Sequence, residues 1–303
     1  MYDIIVVGGG PAGLTAAIYA LRAGKTVLVI EKAGFGGQIA FSPKVENIPG
    51  TRQISGAAFA EQLTDQVMDL GADVELTAVT AVEKQEAGFR VVTEDGEFLA
   101  GAVILALGVK HRTLGLPGEE ELIGNGISFC AVCDGAFYAG QEVAMIGGGN
   151  SALQEALLLS EVCTKVTVVQ NLSDFTGEKK LAQALLEKEN VTAIFDTVVT
   201  GYETHGGALT GLRLQNQKTG LESQISVNGA FLAVGLQPEN EPFASHAALN
   251  PWGYFDSGED CATQTPGLFV AGDCRSKHIR QVVTAASDGA IAAMNACRYL
   301  DNK

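Results

Sequence analysis

The chain has 303 residues, 47% hydrophobic and 18% charged, a folded composition with enough length for two domains that each bury a core. A net charge of −15 argues against nucleic acid or an anionic membrane as a partner, because their phosphates are repelled. Residues 4–21 carry no charge, but Gly8, Gly9, Gly10, Pro11 and Gly13 break the run and no basic region precedes it, so it is not read as a membrane span or signal peptide and a cytoplasmic protein is expected.

In chain order, residues 4–7 read as a buried strand, 12–23 as a helix of small and apolar residues stopped by Gly24, and 26–30 as a second strand ending at Glu31. Gly8, Gly10 and Gly13 form G-x-G-x-x-G at the strand-to-helix junction. There the backbone can approach a pyrophosphate and helix-terminal N–H groups point at it. Glu31 is placed to accept hydrogen bonds from a ribose diol. A strand at 101–108 follows, then the stretch LGLPGEEE, which suits a linker.

Next comes FCAVCDGAF, with Cys130 and Cys133 three apart and Asp134 after them. This spacing allows a small disulfide ring, and Asp134 is suited to give a proton to a thiolate leaving group. The other reading is half of a zinc site. It lacks a second C-x-x-C or an H-x-x-x-H, and the four histidines are scattered, so no metal is expected. Cys163, Cys261, Cys274 and Cys297 read as ordinary buried thiols.

A second strand, glycine loop and helix begins at residue 142. Gly147, Gly149 and Ala152 fit G-x-G-x-x-A, and Gln170 stands 23 residues beyond Gly147, as Glu31 stands 23 beyond Gly8. A buried strand at 229–235 repeats the one at 101–108, and LQPENEP follows as a second linker. The stretch TPGLFVAGDC then gives a further strand ending at Gly272 and Asp273, and a small-residue helix runs through Ala296. The expected architecture is α/β, with two Rossmann-like, three-layer ββα dinucleotide-binding domains, the second inserted into the first. Residues 1–114 and 241–303 form the first and 115–240 the second.

With GGGPAG, GGQ at 36–38, VENIPG at 45–50, CAVCDG, GGGNSA and AGDCRSKHIRQVVTAASDGAIAA all in place, the chain resembles the low-molecular-weight thioredoxin reductases over essentially its whole length. The resemblance implies FAD in the first domain. Gly8, Gly10 and Gly13 would cradle the pyrophosphate, Glu31 the ribose, Gln38 and Asn47 the flavin side, and Asp273 the ribityl or pyrophosphate region. Arg280 and Gln281 would line the isoalloxazine, and Gly108 completes the set. It also implies that Cys133 takes electrons from the flavin, that Cys130 attacks the disulfide of thioredoxin or a similar small protein, and that Asp134 is the acid. A homodimer, with one domain rotating against the other, is implied likewise.

The chain departs from the family at the second loop. NADPH-using members carry H-R-R-x-x-x-R after the strand, where this sequence has Gln170, Asn171, Leu172 and Thr176. Three readings of the donor follow: NADH or NADPH bound weakly or differently, NADPH rescued by Lys165, Lys179 or Lys180, or no nicotinamide at all. The last resembles the ferredoxin-reduced, pyridine-nucleotide-independent branch of the family. A non-catalytic flavin-dithiol redox sensor is the reading from another class.

Overall fold

The computed structural model describes residues 1–42 and 45–303. Two compact units emerge, one from Met1–Phe41, Ile48–Lys110 and Gln237–Lys303, the other from Ser42–Asn47 and His111–Leu236. The crossings fall four residues before the boundaries at 114/115 and 240/241 read from the sequence, because the proline-containing stretches continue into a unit instead of separating the two. After the first crossing, the buried Glu119 carboxylate accepts the N–H groups of Leu114 (2.8 Å) and Leu116 (3.1 Å), which fastens that stretch to the second unit. After the other, the buried Asn240 amide donates to the carbonyls of Gly253 (2.9 Å) and Cys274 (2.8 Å) in the first.

The first unit is built on a seven-stranded sheet. Asp73–Leu76, Val27–Glu31, Tyr2–Val7 and Glu97–Leu105 lie side by side and parallel, and Gly88–Thr93 and Val79–Gln85 continue antiparallel. Leu268–Val270 also pairs in parallel with Glu97–Leu105, so the C-terminal segment returns to the sheet of the N-terminus. Parallel strands covered on both faces need continuous apolar runs, and Ile4, Ile5, Val6, Ala102, Val103, Ile104 and Leu105 are all fully buried. Two helices, Pro11–Arg22 and Val282–Asp301, pack together on this sheet through small residues. A Cβ on Gly289 would stand 2.1 Å from the Ala12 carbonyl oxygen, so any larger residue there would force the helices apart.

The second unit repeats the pattern with a five-stranded parallel sheet, in the order Val191–Ile194, Lys165–Val169, Glu142–Ile146, Gly229–Leu232 and Ile127–Ser128. The Asn150–Ser160 helix follows the Glu142–Ile146 strand as Pro11–Arg22 follows Tyr2–Val7. A separate antiparallel sheet of Thr197–His205, Ala208–Asn216 and Glu222–Ser226 completes it. The fold is α/β with two Rossmann-like halves. Among the described residues no helix is long and apolar enough to cross a membrane.

Candidate active site

Cys130 and Cys133 form a disulfide, with Cα atoms 5.3 Å apart. The pair begins a short helix, Ala131–Asp134, laid directly after the edge strand Ile127–Ser128. Cys130 is the N-cap, and its Sγ accepts the Cys133 N–H at 3.2 Å. A sulfur in this place is stabilised as thiolate by the positive end of the turn.

Two acids attend the turn. Asp134 is raised above the ordinary carboxylate range by burial, with the Ser128 hydroxyl, donating to Oδ2 at 2.6 Å, pulling the other way. Its Oδ1 is buried with no hydrogen-bond partner among the described residues. The same Ser128 oxygen accepts the Cys130 N–H at 3.1 Å, so one side chain ties the acid to the dithiol backbone. Glu155 comes from the Asn150–Ser160 helix, and its Oε2 accepts the Ala131 N–H at 2.8 Å. Burial raises this carboxyl too, against the effect of that hydrogen bond. Sequence reasoning missed both Ser128 and Glu155. Glu155 carried a weak signal, an acid beside the buried stripe Ala152, Leu153, Ala156 and Leu159; Ser128 carried none.

In the first unit the glycine loop is held by close packing. Gly8 has φ +111° and a Cβ there would be 2.3 Å from the Ala106 carbonyl oxygen; one on Gly13 would be 1.9 Å from that of Gly8. Gly10 caps the Pro11–Arg22 helix with no side-chain hydrogen bond, and Gly37 packs beside it, where a Cβ would be 3.2 Å from the Gly10 Cα. Glu31 accepts the Gly9 N–H at 2.7 Å through Oε2 and the Ala33 N–H at 3.0 Å through Oε1. The Gly272–Cys274 turn abuts the same helix, since a Cβ on Gly272 would be 2.8 Å from the Ala12 Cβ. Asp273 leaves Oδ1 buried and unpartnered among the described residues, and burial raises its carboxyl.

Other predicted positions are engaged differently. Arg280 donates to the carbonyls of Asp273 (3.2 Å) and Arg275 (3.4 Å) and lies over the Tyr254 ring. Gln281 caps the Val282–Asp301 helix in a capping box with Thr284. Gly108 takes φ +66° beyond the Glu97–Leu105 strand. Gln38 lies in the Gly37–Phe41 turn of the first unit, whereas Asn47 belongs by its contacts to the second.

The second glycine loop opens on a cleft of about 800 Å³, entirely within its own unit. Gly147 and Gly149 line it, and Ala152 is buried behind them. Gln170 is only 4% exposed and packs on Gly148, where a Cβ would be 2.4 Å from its Nε2; that amide donates to the Asp174 carbonyl at 3.2 Å. Among the described residues Arg112 is the one lysine or arginine lining the cleft; His111, also there, is pushed down to about 4 by burial and is neutral near pH 7. Lys165, Lys179 and Lys180 are not among the residues that line it.

The pyridine nucleotide-disulphide oxidoreductase family matches residues 2–289. Thioredoxin reductase of Bacillus subtilis is 36% identical, over 99% of this chain and 95% of that protein. The crystal structure of thioredoxin reductase from Streptococcus pyogenes matches 100% of this chain and 99% of that one, at 35% identity and TM-score 0.94. The thioredoxin reductase from Giardia duodenalis gives 32% and 0.91, with 99% of each chain covered. The chain belongs to the thioredoxin reductases of this family. It is therefore an FAD-dependent oxidoreductase, and the first unit fits that cofactor. The helix terminus at Gly10, which no side chain caps, suits a pyrophosphate, and the unpartnered Asp273 Oδ1 lies on the turn that abuts this helix.

Proposed function

We propose that the protein is a flavin-dependent disulfide reductase that works through Cys130 and Cys133 and delivers electrons to thioredoxin or a similar small dithiol protein. The observation that carries this reading is the disulfide at the start of a short helix beside the half-buried acid Asp134. FAD, when bound, supplies the electron pair. Reduction of the Cys130–Cys133 bond consumes two electrons and two protons and gives two thiols. Cys130, whose sulfur the Cys133 N–H stabilises, attacks the partner disulfide as thiolate; one partner sulfur leaves and takes a proton, which Asp134 is suited to provide. Cys133 then displaces the second partner sulfur from Cys130, which restores the disulfide.

The second cleft bears on the donor. A well-formed arginine-to-phosphate contact contributes about 1.5–3 kcal/mol, and the family's cluster is replaced here by the neutral Gln170, Asn171, Leu172 and Thr176. We infer that NADPH is not preferred. The open glycine loop favours a nicotinamide lacking the 2′-phosphate, and the neutral strand end favours a ferredoxin-like carrier. Anaerobic titration of the oxidised protein with NADPH, NADH and reduced ferredoxin, read as flavin bleaching, separates these; tight, rapid bleaching by NADPH alone would contradict the inference. Thioredoxin-linked turnover lost in Cys133→Ser supports the reductase, whereas a wild type that bleaches but never reduces thioredoxin supports the redox sensor.

A further inference from the structure

The half-buried carboxyl of Glu155 has no part in the steps above. It touches two functional regions of one unit: it lines the second cleft, and it accepts the N–H of Ala131, the residue after Cys130. Ala131 N–H is the first amide of the four-residue turn that follows Cys130, and a free amide there presents a partial positive charge close to that residue. A carboxylate bound there takes up that partial charge and adds a negative charge of its own.

We propose that Glu155 is a positioning residue of the dithiol, whose carboxylate holds the start of the Cys130–Cys133 turn and keeps the Cys130 thiol less acidic than its helix N-terminal placement alone would make it. The proposal rests on the reading of Cys130 and Cys133 as the working pair. Two sets of groups set the local electrostatics with it. Asp134, protonation of which burial favours, and Tyr138, raised by burial and by Asp134, belong to the dithiol turn. His111 and Arg112 line the same cleft. In the reduced protein the Cys130 thiolate would sit close to an anion already in place. Its formation is then disfavoured at pH values where Glu155 is ionised, and eased once Glu155 takes a proton.

The test is alkylation of Cys130 in the chemically reduced holoenzyme across pH, read by peptide mass; Cys163, Cys261, Cys274 and Cys297 are all buried and serve as slow internal references. Glu155→Gln is expected to alkylate about threefold faster or more near pH 7, because one nearby negative charge has gone. The gap from wild type should close toward acid, where the wild-type Glu155 carboxyl becomes neutral, as the Gln side chain already is. Glu155→Asp, which keeps the charge, should stay nearer the wild-type profile. Ala131→Pro is the second variant. Proline is tolerated at the first helical position and Cys130 already has extended backbone, so the N–H is removed without touching the acid. The unpaired, half-buried carboxyl then protonates more readily, which offsets the lost pull of that amide on the thiolate, so the profile should lie between those of wild type and Glu155→Gln. Coincident profiles for wild type and Glu155→Gln would overturn the proposal, as would slower alkylation in Glu155→Gln or an Ala131→Pro profile that outruns it. Thioredoxin turnover by the wild type tests the underlying reading separately, since alkylation needs no partner.

Discussion

At Asp134, function and stability pull in opposite directions. Its carboxyl is raised in the folded protein, so the fold holds the proton more tightly than the unfolded chain does. Stability is therefore reduced above the raised value and recovers as pH falls through it toward the ordinary 3.8. Asp134→Asn should raise the thermal midpoint at pH 7–8 and lose that advantage toward pH 4, while thioredoxin turnover falls roughly 10²-fold, the lower range for losing a general acid. Calorimetry and turnover on the same preparation check both. The cysteine pair and Asp134 were legible because they are contiguous in sequence. Ser128 and Glu155 were not, because what makes them matter is a hydrogen bond across a strand end and a helix face. Arg280 and Gln281 show the opposite difficulty: the motif located them, but the turn and the helix cap they build were invisible in it.

The two strand–loop–helix elements show how much a repeated pattern specifies. In both, the first glycine lies under a carbonyl from a neighbouring strand end, Ala106 for Gly8 and Ala233 for Gly147. In both, the residue 23 positions on packs against the middle glycine, Glu31 beside Gly9 and Gln170 beside Gly148. Gly13→Ala would place a carbon 1.9 Å from the Gly8 oxygen, so it should yield protein depleted of flavin and less stable, measured by absorbance and thermal melting. In the second element the neutral strand end is the lever. Leu172 is 48% exposed and lines the cleft, and Leu172→Arg should improve binding of 2′-phospho-ADP-ribose over ADP-ribose by roughly 10-fold or more if the fork forms; calorimetric titration with both ligands gives the ratio. Continuous apolar runs made these parallel strands readable. The antiparallel strands between residues 197 and 226 were not read, because their side chains alternate between buried and exposed and share no motif.

For the whole molecule, charge is the property that matters to partners. With −15 overall, association with an acidic carrier protein should be slow at low ionic strength and speed up as salt screens the repulsion, whereas a basic partner should show the reverse. Stopped-flow rates between low and physiological salt distinguish the two. The insertion of one unit into the other was legible from the repeat and the returning C-terminal strand, but the placement of Ser42–Asn47 with the second unit was not, since it rests on contacts distant in sequence.

The inserted segment leaves and re-enters through Lys110–His111 and Leu236–Gln237, two short strands that pair with each other. Its two ends are thus neighbours, and the segment has hydrophobic clusters of its own. Such a stretch is an exchangeable cassette: a gene fusion joined at these two points could replace residues 111–236 with another dithiol carrier, leaving the strand order of the host sheet as it is. Divergence in how electrons arrive can then proceed in one half of the gene while the flavin half stays under its own constraints.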